Sequence, residues 1–204
     1  LIKDYMATPD FSEKNFSKAR FDPSYLSAEV KKIFGWSVYE ISCQALEGDA
    51  SDRSYFRVSF KSEAGQKNPQ SLIVMQLKDP VPDSETDFTR ILKFLRRINL
   101  PAPELFHYDV PMGLLFLEDC GIRTLGDELD VFPKRKAKLY YQAVELLFDM
   151  QTRATHLIDP RCPAYHHKFD VKKLMWELDF MLDHYVKGLC ESPLENFSKN
   201  EVRG

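Results

Sequence analysis

The stretch LEGDASDRSYFRV, residues 46–58, commits this chain to an antiparallel hairpin. An apolar run over residues 41–46 enters a polar turn around Gly48, and a second strand leaves it. On that second strand Tyr55, Arg57 and Ser59 share one face, while Phe56, Val58 and Phe60 share the other. Alternation of period two is the pattern of a half-buried antiparallel strand. The turn itself, with Gly48, Asp49, Ala50, Ser51, Asp52 and Arg53, can offer backbone N–H groups and a hydroxyl to an anion. Taken alone it is equally a plain hairpin tip, and only the later segments of the chain give it a meaning.

The rest of the chain divides into strands, then helices. Residues 1–20 are polar and aperiodic, which predicts a flexible tail. Asp22 and Pro23 supply a cap and a first-turn proline for a helix ending near Gly35, with Leu26, Val30, Ile33 and Phe34 on its apolar face. After the hairpin and a polar loop at residues 61–70, SLIVMQL at residues 71–77 predicts a third, buried strand. Pro80 and Pro82 then delay a helix to about residues 84–98, with Phe88, Ile91, Leu92 and Leu95 on one face. Two short strands come next, at residues 104–108 and 113–118. A polar connector leads to long helices at residues 133–156 and from an Asp170 cap. Their inward positions are expected to be Leu139, Ala143, Leu146, Leu147 and Met150 in the first, and Leu174, Leu178, Met181, Leu182 and Tyr185 in the second. The plan is α+β: five antiparallel strands with one inserted helix, then a helical region. It divides into residues 1–20, 21–120 and 121–204.

Composition narrows the function classes. Lys and Arg total 28 against 31 Asp and Glu, a net charge of −3, and no long basic tract offers a nucleic-acid surface. The longest, Lys134-Arg135-Lys136, reads as solvated helix surface. Cys43, Cys120, Cys162 and Cys190 stand far apart without a CxxC pair, which predicts free thiols in a reducing, cytoplasmic setting and no zinc site. No apolar run has the length of a membrane span. His166-His167 lacks a third ligand at useful spacing, so no metal site is expected.

Four pieces, EGDASDRSYFRV (residues 47–58), SLIVMQ (71–76), LPAPELFHYDVPMGLLFLEDCG (100–121) and KFDVKKLMWELDFMLDHYV (168–186), together resemble the aminoglycoside phosphotransferase and choline kinase family. Within it the chain is most similar to bacterial sugar kinases that phosphorylate N-acetylmuramate and N-acetylglucosamine. The resemblance covers roughly residues 24–190. It implies a protein-kinase-like fold with a five-stranded small lobe, ATP and Mg²⁺ as cofactors, and a sugar or amino-sugar acceptor. It also implies that residues 48–53 cradle the nucleotide, with Ser51 near the phosphates. Glu118 and Asp119 would form the hinge that meets adenine through backbone groups, and Val74, Ala102 and Leu117 would wall the adenine slot.

Two departures stand out. Kinases of this type hold the α- and β-phosphates with a third-strand Lys paired to a helix carboxylate. Here Met75 or Gln76 occupies that place. Lys78 is the nearest amine, with Glu85 and Asp87 as candidate partners, and an exposed strand-end lysine is the alternative. The catalytic pattern His-x-Asp-x-x-x-x-Asn and the later metal-binding Asp are also missing. His107-Tyr108-Asp109 imitates the start of that pattern, but Leu114 stands at the Asn position. Asp179-Phe180-Met181 imitates a metal-binding Asp-Phe-Gly inside an amphipathic helix. No catalytic residue is therefore assigned. Since the sequence opens on Leu1 and ends in a polar stretch, it reads as the N-terminal fragment of a kinase, inactive alone. The alternatives are a non-catalytic nucleotide-binding pseudokinase or interaction module, and a ligand-free structural domain.

Overall fold

Alternating strands bury both of their faces only if a layer covers each side of the sheet, and here two helices supply those layers. The computed structural model describes residues 18–46, 52–62 and 69–186. In chain order the elements are α1 (Pro23–Phe34), β1 (Val38–Leu46), β2 (Ser54–Ser62), β3 (Ser71–Gln76), α2 (Asp87–Arg97), β4 (Leu105–Asp109), β5 (Leu114–Glu118), α3 (Leu125–Val131), α4 (Lys136–Leu157) and α5 (Val171–Met181). The strands form one antiparallel sheet in the order β1-β2-β3-β5-β4. The α+β plan expected from the sequence is present, with α2 inserted between β3 and β4.

Helix α1 starts and stops on its sequence signals. The Asp22 carboxylate accepts the Tyr25 N–H at 2.8 Å, Pro23 occupies the first turn, and Gly35 closes the helix at φ +78°. Leu26 and Val30 point from α1 into a core with Cys43, Phe56, Val58, Leu72, Val74 and Phe116. Most of these are fully buried, and each large apolar side chain so placed stabilises the fold by about 1.5–3 kcal/mol. The opposite face packs Met75, Leu77, Leu115 and Leu117 against Leu92 of α2, with Phe88 at the margin. Helix α2 begins after a reciprocal Thr86–Thr89 cap, three residues later than expected, and the Glu85 N–H just before it is taken by the Asp83 carboxylate.

Described residues through Pro163 form one compact unit, and those from Ala164 form another. The boundary expected at residues 120/121 falls inside the first unit, where Ala154, Ile158 and Cys162 pack with Phe94, Ile98 and Leu100. The connector after Gly121 contains α3, capped reciprocally by Thr124 and Asp127. Of the expected tail, residues 18–20 are described, and they are anchored. The Arg20 N–H donates to Gln76 Oε1 at 2.8 Å, and its guanidinium donates to the carbonyls of Lys78 and Met112.

The inward faces expected of the long helices need correction. Of the five α4 positions only Leu139 is half-buried; Ala143, Leu146, Leu147 and Met150 are exposed. In the second unit Leu174, Met181 and Tyr185 are exposed, while Leu178 and Leu182 are half-buried. Helical spacing collects apolar residues on one side, but burial requires a facing layer. Phe148, Trp176 and Phe180 are also at least half exposed.

Behind β4, the Tyr25 hydroxyl donates to Asp109 Oδ2 at 2.6 Å, and Asp109 Oδ1 accepts the Met112 N–H at 3.0 Å. Burial, then the Asp109 hydrogen bond and charge, push the Tyr25 phenol well above its ordinary value. A phenol whose folded pKa is raised contributes stability fully below the unfolded value of about 10, and loses it as pH rises further. Tyr25→Phe should cost about 1–3 kcal/mol near neutral pH in denaturant unfolding. The decline in stability that wild type shows above pH ~10 should be correspondingly reduced in the variant.

Candidate functional site

Strand register sorts the side chains of the α2-facing side into rows. Leu46, Tyr55, Met75, Leu115 and Tyr108 form one row, and Gln44, Arg57, Ile73, Leu117 and Leu105 form the next. Ser42, Ser59 and Ser71 form a third, polar row beside the exit of β5. Helix α2 covers the first row most fully, since Met75 and Leu115 are completely buried. Tyr55, Arg57, Ile73 and Ala102 stay half-buried and Gln44 is exposed. The hairpin ends beside Leu114 and the β5 exit beside Glu118, four residues apart, or about 13 Å along the strands.

At the β5 exit stands a densely bonded cluster. Arg57 Nε donates to Asp119 Oδ2 at 2.8 Å and Nη2 donates to Oδ1 at 3.1 Å. Ser71 Oγ also donates to Oδ2 at 2.8 Å, and the Gly121 N–H donates to Oδ1 at 3.0 Å. Each carboxylate oxygen therefore accepts two hydrogen bonds. Nη2 of Arg57 donates as well to the Gly121 carbonyl at 2.7 Å, closing a ring that β2, β3 and the segment after β5 all share. Gly121 sits at φ +104°, a conformation glycine adopts without strain. The side chains of Arg57 and Asp119 are only 17% and 7% exposed. Burial works to raise the Asp119 pKa, but the bonds from Arg57, Gly121 and Ser71, with the Arg57 charge, hold it below the usual carboxylate range.

Sequence expectations meet this geometry unevenly. Gly48, Asp49, Ala50 and Ser51 lie outside the described residues. At the foot of their loop, Arg53 stacks its guanidinium over Phe88 of α2, 5.4 Å from the ring centre, and Asp52 is exposed. Leu117 and Ala102 belong to the α2-side cluster. Val74 does not: it pairs with Phe116 and is buried against the α1 layer. Alternation turns Val74 away from Leu117, so the two cannot wall one slot; the pairing partner of Leu117 is Ile73. Glu118 points its carboxylate to the Glu104 N–H at 3.0 Å.

For the third-strand position the register separates Met75 from Gln76. Met75 faces α2, whereas Gln76 is buried on the far side with Arg20. Lys78 follows the end of β3 and stands 3.9 Å from Asp52, with both side chains largely exposed, a geometry that contributes little. Its expected partners are engaged elsewhere. Glu85 pairs with Lys93 and Arg90, whose hydrogen bonds and charges, those of Lys93 foremost, lower its pKa, and Asp87 lies 3.8 Å from Arg90. A cleft of about 570 Å³ lies there, lined by Glu85, Arg90, Lys93, Arg97, Asp159 and their neighbours. Its lining carries four cations and two carboxylates, paired as Glu85 with Lys93 and Arg90 and Asp159 with Arg97 and Arg161. It is an ion-paired seam over the Phe94–Cys162 core.

The imitation motifs are structural. His107 contacts Glu29 at 3.3 Å and Asp109 holds Tyr25, while Asp179 lies within α5. Among the described residues no cluster of three metal-ligating side chains occurs, and no helix is long and apolar enough to cross a membrane. Cys43 and Cys162 are buried free thiols, the first pushed up to about 11 by burial, and Cys120 is an exposed free thiol. Arg57 is the residue that sequence reasoning left without a role. The signal was an arginine in mid-strand on a half-buried face, where a guanidinium needs a carboxylate.

Asp119→Asn should lower stability by about 3–5 kcal/mol at neutral pH, because the Arg57 charge loses its buried partner. A carboxylate with a depressed folded pKa contributes above its unfolded value of about 3.9 and loses that contribution as pH falls further. Acid titrations of the two proteins should therefore converge below pH ~4. Parallel curves would show that Asp119 is not the titrating group.

The chain matches no protein-family model, and no curated protein is significantly similar to it.

Proposed function

We propose that this protein is an ATP-dependent small-molecule kinase whose acceptor is a sugar or amino-sugar hydroxyl, with residues 21–121 forming the nucleotide-holding side of its site. The observation that carries the reading is the half-open strip on the α2-facing side of the sheet. It runs from the hairpin foot at Asp52 and Arg53 to the clamped segment 118–121, past Tyr55, Ile73 and Ala102. Its two ends differ as the two ends of a nucleotide do. The hairpin end has cations near it in Arg53 and Lys78. At the other end Asp119 neutralises Arg57 and leaves an environment suited to an uncharged base. The order of strands and the inserted helix are those that the family resemblance implies, and they support a protein-kinase-like fold.

In this reading ATP lies along the strip with its base at residues 118–121. Mg²⁺ bound with the nucleotide would supply charge neutralisation during transfer to the acceptor hydroxyl. The residues along the strip orient the nucleotide and shield it from water on the sheet side, which lowers the barrier by positioning.

A second reading, nucleotide binding without transfer, is favoured by one observation. The α2-facing position of β3 holds Met75, fully buried and without charge, so no strand ammonium is available for the phosphates.

The two readings separate by experiment. Full-length protein is titrated with ATP and Mg²⁺ by calorimetry, then incubated with N-acetylmuramate or N-acetylglucosamine, and phosphosugar is measured by mass spectrometry. Binding with product formation is expected. Binding without product for any sugar acceptor would favour the second reading, and no nucleotide binding would overturn both.

A further inference from the structure

We propose that Arg57 is a positioning residue that sets the seat of segment 118–121 for the nucleotide base; this rests on the nucleotide-site reading above. The segment leaves the sheet at the end of β5, and nothing in a strand end fixes where it goes next. The clamp does so by reaching back across the sheet. Ser71 at the start of β3 and Arg57 on β2, two strands away, both bond Asp119. Arg57 also holds the Gly121 carbonyl, and Gly121 in turn bonds Asp119. The exit is therefore pinned at two points separated by Cys120, which alone of the three remains free to face outward.

The geometry demands arginine. A guanidinium presents Nε and Nη2 as a planar fork, and here the fork meets both carboxylate oxygens while the same Nη2 reaches a carbonyl. Lysine would preserve the charge and lose the fork. Because the clamp lies on the α2-facing side, at the hinge end of the strip, any shift of the exit changes the seat of the base directly.

The exposed Cys120 thiol offers a readout at the centre of the pinned segment. Burial, then Glu118 and Asp119, raise its pKa. Loosening Arg57 leaves Asp119 less neutralised, which would slow alkylation further. Faster alkylation in a variant therefore reports movement rather than electrostatics. Cys43 and Cys162 are buried and react only on unfolding.

The test compares full-length wild type with Arg57→Lys and Ser71→Ala, the latter keeping the fork and removing one bond. ATP affinity is measured by calorimetry, and iodoacetamide labelling at each cysteine by peptide mass spectrometry. Arg57→Lys should weaken ATP binding about tenfold, as expected for losing a charged hydrogen bond, and should speed labelling of Cys120 without speeding Cys43 or Cys162. Ser71→Ala should shift both readouts in the same direction by a smaller factor. Unchanged ATP affinity in Arg57→Lys, or equal acceleration at Cys43, Cys120 and Cys162, would overturn the proposal. Should Arg57→Lys fail to fold, unchanged affinity and Cys120 labelling in Ser71→Ala would overturn it too. If wild type binds no ATP, the nucleotide reading fails and the positioning role falls with it. Cys120 labelling then reports separately whether the clamp holds the segment.

Discussion

The two-sided burial of the sheet is the constraint on which the rest depends. Strands β3 and β5 carry large apolar side chains on both faces, so each face needs a covering layer over most of its length. Helix α1 covers one face through Leu26 and Val30, and α2 covers part of the other through Leu92. Coverage is unequal: α1 is laid over its side, whereas α2 reaches only the rows nearest the hairpin end. That inequality leaves the half-open strip, where Ile73 and Arg57 stay only half-buried.

Charge is handled by the same logic of coverage. Where the sheet is half open, a buried guanidinium is tolerable because one carboxylate and one carbonyl satisfy it. Removing water from Arg57 and Asp119 costs several kcal/mol per ion, and the fork with its two further donors offsets that cost. Farther out, the pairs around Glu85 and Asp159 are solvated and contribute little to stability, however numerous they are. The contrast separates a bonded cluster that fixes geometry from ion pairs that decorate a surface.

Helix α4 and, in the second unit, α5 present a different balance. Their caps and spacing suffice to define helices, yet Phe148, Trp176 and Phe180 stay in water. Exposed apolar surface of this extent is uncommon on soluble monomers. A helix needs only local hydrogen bonds to exist, while burying its stripe needs a second element at the right distance.

Much of the architecture was legible from the chain alone. The Asp22–Pro23 start and Gly35 stop of α1, the alternation of β2, the order of five strands around one helix and the Asp170 cap all follow from local rules. Those rules act within a few residues, through backbone hydrogen bonds and steric preference. Short α3 was hidden because seven residues hold too few apolar positions to show a period. Tertiary structure alone decided which faces meet. Sequence could name Val74, Leu117 and Ala102 as apolar, but only strand register put Val74 behind the sheet and Ile73 beside Leu117. It could note Lys78, Glu85 and Asp87 as complementary charges, yet the turn after β3 gave Lys78 to Asp52 and left Glu85 to Lys93. Arg57 and Asp119 lie 62 residues apart, and no local pattern announces their partnership. Pairings of that kind form only when separate strands are brought into register, because hydrogen bonds and ion pairs depend on distances in space that the linear chain does not contain.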